Sequence, residues 1–181
     1  MGGLLRRLKA LLGATPSRET HQPVGKVLHL SWLGSPELAA RLPAAPEAQQ
    51  RRAALSACEF ALAKSGLEHP LVDEAIAALR DGRPVSPAQR ENLQRLVDEL
   101  DARSDGLRET AEEAGTSEEE ADAFFSQARA AQAVCFATGD DALEAAVEAV
   151  YEAKHTYTAG TDGELKVRDE EFVRRVLAAL A

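Results

Sequence analysis

Aromatic side chains are scarce in this sequence: they make up 4% of 181 residues, while hydrophobic residues as a whole reach 45%. The apolar share is carried by Ala and Leu, which favour helix over the β-branched and aromatic mixture that fills strands, so a sheet-based core is excluded and an all-α protein is expected. Cysteine is scarcer still. Cys58 and Cys135 lie far apart with no second Cys or close His, which excludes a disulfide scaffold and a zinc ribbon. Each stands among Ala, Leu and Phe, where apolar neighbours raise a thiol's pKa, so both are expected to be inert, reduced core residues rather than nucleophiles. No apolar run approaches the ~18 residues of a membrane span and no leader-like segment follows the start, so the expectation is a soluble, cytoplasmic protein. Positive charge is in deficit as well. Lys and Arg number 21 against 30 Asp and Glu, a formal charge of −9, so no nucleic-acid partner is expected.

What is present is organised along the chain. The length suits one domain with a tail. Residues 1–13 carry a helical stripe of Leu4, Leu5, Leu8, Leu11 and Leu12 with Arg6, Arg7 and Lys9 on the other side, an amphipathic basic helix. Residues 14–34 are a linker and extended lead-in, with Val27 and the sole Trp32 in the one strand-like run. Residues 35–181 form the helical domain, an irregular bundle of about six helices. Ser35-Pro36 opens a brief helix, and Pro43 and Pro46 punctuate its end. A longer helix runs from Glu47 to Ser65 and stops at Gly66. Another runs from Pro70 to Asp81, and the short connection predicts that these two form an antiparallel hairpin. Ser86-Pro87 caps a third, in which Ser104-Asp105-Gly106 threatens a kink or split before Gly115. Thr116 and Glu119 fit a capping box for the helix that ends by Gly139. Asp140 caps the next, Thr156 to Gly163 is a loop, and Asp169 opens the last helix.

Residues with chemical potential are few. Glu152 and His155 stand three apart on one helix, the spacing of a ferritin-like ligand pair, but no second Glu-x-x-His accompanies them, and His155 is expected to complement its own helix end. Gly160-Thr161-Asp162-Gly163 lacks the Lys and preceding strand of a phosphate loop and reads as a turn. Asp140-Asp141 reads as a cap and first turn. No catalytic residue, cofactor or metal is expected, and the protein is not read as an enzyme.

Charge is segregated instead. Up to Leu55 eight basic residues face three Glu, whereas Asp98 to Asp122 holds eleven acidic residues against Arg103 and Arg108. Within that stretch Glu112, Glu113, Glu118, Glu119 and Glu120 are the candidate contact residues for a basic partner protein, because complementary fields raise encounter rates.

Arg51 to Glu59, Asp73 to Leu79 and the Ala-rich stretch from Ala128 to Tyr157 resemble, in helical texture, the all-helical immunity proteins of bacterial polymorphic-toxin systems. That resemblance implies a non-catalytic protein that neutralises a toxin by binding it. The alternative is an adaptor or scaffold whose Leu4, Leu5, Leu8, Leu11 and Leu12 dock to a membrane surface or a larger assembly.

Overall fold

Several helix starts among the described residues are written by a capping side chain and a proline, and two helix stops by a left-handed glycine. The computed structural model describes Leu33, residues 35–157 and residues 162–181, with side chains in the last stretch from Asp169 onward. The basic stretch 1–13 and all of the lead-in except Leu33 lie outside the described residues. So do residues 158–161. Among the described residues there are seven α-helices, one 3-10 turn and no strand.

Ser35 Oγ accepts from the Leu38 amide at 3.2 Å and Pro36 stands in the first turn, opening α1 (Pro36–Ala44). Leu38 and Leu42 are its buried residues, and Gln50 Nε2 donates to the Leu42 carbonyl to tie its end to the next helix. That helix, α2 (Glu47–Ser65), follows Pro46 and ends at Gly66, whose φ of 64° is the left-handed stop. In α3 (Pro70–Arg80) the cap is the His69 ring, with Nδ1 accepting from the Leu71 amide. Ser86 and Gln89 make a reciprocal capping box at the head of α4 (Pro87–Ala114), which ends at Gly115 with φ 66°. Then come α5 (Glu119–Ala137), α6 (Ala142–Lys154), the 3-10 turn His155–Tyr157 and α7 (Asp162–Ala179).

The partners along each pair of helices give their directions. Ser104 Oγ donates to the Ala121 carbonyl, Arg129 meets Asp101, and Arg90 meets the Thr138 carbonyl, so α4 and α5 run antiparallel over their lengths. Arg129 also meets Glu152, and Ser126 Oγ donates to the Thr156 carbonyl, so α5 and α6 are antiparallel too. Arg52 reaches the Ala179 carbonyl and Lys64 reaches Glu171, which sets α7 antiparallel to α2. Helix α2 occupies the centre, against α5, α6 and α7.

Its contacts are lined by alanine. Ala53, Ala57, Ala61, Ala130, Ala131, Ala133, Ala146, Ala149 and Ala153 are all fully buried. Small side chains at the crossing let helix backbones approach closely. Aromatic rings gather at one place in the core, where Phe60, Tyr157 and Phe172 cluster with ring centroids 5.1 to 6.0 Å apart. Their tilted and edge-on arrangements suit the ring quadrupoles.

Five local expectations are corrected. Helix α4 runs through Ser104-Asp105-Gly106 without interruption, because Ser104 has a buried acceptor on α5 and a single Gly costs only about 1 kcal/mol in a helix held by packing. Thr116 caps nothing: its amide donates to the Ala111 carbonyl to finish α4, while Ser117 Oγ accepts from the Glu119 amide. Asp141 rather than Asp140 caps α6, accepting from the Glu144 amide at 2.9 Å. The last helix starts at Asp162, not Asp169, so Asp162 and Gly163 are helical rather than part of a loop. Finally, α2 and α3 are not a closely paired hairpin. The faces of α2 are taken by α5, α6 and α7, and α3 leans at least as much on α4 and α5.

Candidate functional site

Glu112 and Glu113 stand in the last turn of α4, and Glu119 and Glu120 in the first turn of α5, with Glu118 just before them. Gly115 reverses the chain between the two helices, so all five carboxylates gather at one end of the hairpin. Every residue from Glu112 to Glu120 is exposed. The tip is nonetheless tied down. Arg108 donates to Glu118 at 3.2 Å and to Asp122 at 3.3 Å, and Ser104 fixes the Ala121 carbonyl one turn further in. Burial weighs against the charge of the Arg108 guanidinium, but Asp122 and Glu118 outweigh it and raise its pKa. Negative charge remains in excess there, since Arg108 is shared among Asp105, Glu118 and Asp122 while Glu112, Glu113, Glu119 and Glu120 stand beside them. At the start of α5 this charge also meets the positive end of the helix dipole.

A second polar group, absent from the sequence reading, lies deeper between α4, α5 and α6. Arg129 donates to Asp101 at 2.7 Å and to Glu152 at 3.1 Å, while its guanidinium lies 5.3 Å from the Phe125 ring centre. Glu152 is 2% exposed, so its carboxylate depends on this one guanidinium for charge compensation. Burial works against the Arg129 charge, and Glu152 and Asp101 outweigh it and raise the pKa. Arg129 Nε has no hydrogen-bond partner among the described residues. The one signal in the sequence was a lone cation inside Ala128-Arg129-Ala130-Ala131, which a solvated helix face explains equally well.

The other candidates are placed as follows. Glu152 and His155 do not converge: the carboxylate faces Arg129, and His155 Nδ1 lies 2.8 Å from the Tyr151 carbonyl at the end of its own helix. Among the described residues no group of three or more His, Cys, Asp or Glu is arranged to hold a metal ion. Cys58 is buried and free, and burial pushes its thiol pKa far up. Cys135 is partly exposed, with burial again raising its pKa. Asp140 pairs with Arg90 at 3.2 Å. No described helix is long and apolar enough to cross a membrane. Leu4, Leu5, Leu8, Leu11 and Leu12 lie outside the described residues.

Comparison with models of protein families, with curated proteins and with solved structures finds no match for this chain.

Proposed function

We propose that this chain is a non-catalytic protein-binding domain whose acidic hairpin tip meets a basic partner, a toxin-neutralising immunity role being its most concrete form. One observation carries the reading: Glu112, Glu113, Glu118, Glu119 and Glu120 are exposed together on a tip that Arg108 and Ser104 brace from behind. A concentrated field of one sign on a braced surface favours fast, oriented encounter with the opposite sign and disfavours acidic competitors. The immunity form is supported by the helical texture of Arg51 to Glu59, Asp73 to Leu79 and Ala128 to Tyr157.

The test is affinity capture from the native cell with the full chain, at low and moderate salt, followed by association kinetics on the stoichiometric partner. Reversal of the four acids not held by Arg108, E112K/E113K/E119K/E120K, should slow association at least about tenfold at low salt. An association rate indifferent to both reversal and salt rejects the reading.

A further inference from the structure

The two ends of α4 are held very differently. Up to Ser104 the helix is keyed into the molecule: Leu93, Leu96 and Val97 are buried in the core, Leu100 packs against it, and Ser104 Oγ donates to the Ala121 carbonyl at 2.9 Å. Beyond that bond apolar cover almost ends. Between residues 105 and 120 only Ala111 is buried, outside the core cluster, and only Leu107 and Arg108 are half-buried. One methyl group supplies far less burial energy than the Leu and Val side chains further in. The last turns of α4, the connection and the start of α5 thus form an arm held by its own helical bonds and by Arg108.

A weak point in those helical bonds coincides with the root of the arm. Gly106 stands inside the helix, where it makes unwinding about fivefold easier than Ala would. No contact calls for a glycine there, since a Cβ would meet nothing within 4 Å. Its carbonyl also accepts the Thr110 hydroxyl at 2.8 Å, and a side-chain bond to the carbonyl four residues back slightly destabilises and bends a helix.

We infer that residues 107–120 open and close as a local unit about Gly106, while α4 before Ser104 and α5 after Ala121 stay folded.

Cooperative local opening belongs to regions with few buried apolar contacts and many exposed backbone hydrogen bonds, and the arm meets both conditions. Arg108 is its clasp. Its ion pairs with Asp105 and Asp122 join the arm to its root, and the one with Glu118 ties the two sides of the arm together. Exposed pairs of this kind contribute little each, so the clasp yields readily. Opening uncovers Leu107 and Ala111, an apolar surface that the closed tip does not present, and a partner that used it would select the open state. The inference itself needs no partner and stands whether or not the tip meets a basic one.

Native-state amide hydrogen exchange of the full chain, resolved by residue at several urea concentrations below the unfolding midpoint, reads the opening directly. The expected profile is a step at Gly106. Amides of Leu107 to Gly115 should exchange at least about tenfold faster than those of Leu93 to Arg103, and with little dependence on urea, because a local opening exposes little surface. Gly106→Ala, at a position with open space where folding is not at stake, should slow exchange across that segment roughly fivefold. Arg108→Met should speed it roughly two- to fivefold. Three results overturn the inference. Rates that climb smoothly toward Gly115 with no step are the fraying of a helix end. Rates in Leu107 to Gly115 as slow and as urea-dependent as those before Ser104 mean that the arm opens only with the whole molecule. The third is a segment whose rates one substitution or the other leaves unchanged.

Discussion

At position 152 a carboxylate sits where water barely reaches, and Arg129 makes that tolerable. Removing the arginine alone leaves the acid buried without its counter-charge, so Arg129→Leu should destabilise by about 3–5 kcal/mol. The double variant Arg129→Leu with Glu152→Leu should recover most of the loss, because a filled apolar site needs no partner. Urea midpoints at constant m-value read both. Cys58 makes a second prediction at this scale. Its pKa is raised by burial, so the folded state keeps a proton that the unfolded chain gives up. Stability is therefore complete below the ordinary thiol value of about 8.5 and falls as pH rises beyond it, by up to about 1.4 kcal/mol per unit. Cys58→Ala should remove its own share of that decline between about pH 8.5 and 10, below the range where Tyr157, also raised by burial, begins to contribute, and leave the part due to Cys135, whose thiol pKa burial raises too. Denaturation midpoints of both proteins across this range measure the difference in slope. Neither residue's setting was fully legible in the sequence: an apolar neighbourhood identified Cys58 as core, but pairing Arg129 with Glu152 requires knowing that α5 and α6 are antiparallel.

Among elements, the α4–α5 hairpin turns on a left-handed glycine. Gly115 adopts φ 66°, and a Cβ placed there meets nothing within 4 Å. The cost of Gly115→Ala is then conformational rather than steric, about 1 kcal/mol by urea denaturation. This turn also shows how far local chemistry carries. Ser35-Pro36, Gly66, Ser86-Pro87 and Gly115 mark their boundaries unaided, because a cap or a left-handed stop acts within a few residues. Thr116 misleads because two motifs compete for it, and the completion of α4 claims its amide. Asp140 and Asp141 are equivalent as cap candidates until Arg90, fifty positions earlier in sequence and across the hairpin, engages one of them. The acidic stretch was visible as composition, whereas its gathering at a single end follows from the reversal at Gly115.

For the molecule as a whole, polarity is lopsided: the core is apolar and alanine-rich, and the five glutamates crowd one end. Like charges so close repel, and Glu112 and Glu113 stand at the negative end of α4, so E112K/E113K should be neutral or slightly stabilising in low salt, whereas E119K/E120K lose the favourable dipole of α5 and should cost about 0.3–1 kcal/mol each. Thermal melting against salt concentration checks this, and costs this small leave those variants folded as probes of binding. The all-helical class was legible from the shortage of aromatic and β-branched residues, but the central place of α2 was not, since apolar residues on several faces announce burial without saying against what. The alanine contacts around α2 bear finally on which sequences this fold can ever visit. A site that already carries a single methyl loses about 1–2 kcal/mol by truncation to Gly and has no room to grow. A saturation library would accordingly show intolerance in one direction: Ala57, Ala131 and Ala149 would accept Gly or Ser far more often than Val, Leu or Phe. The lineage of such a protein would drift readily over its surface while its centre stayed fixed in size.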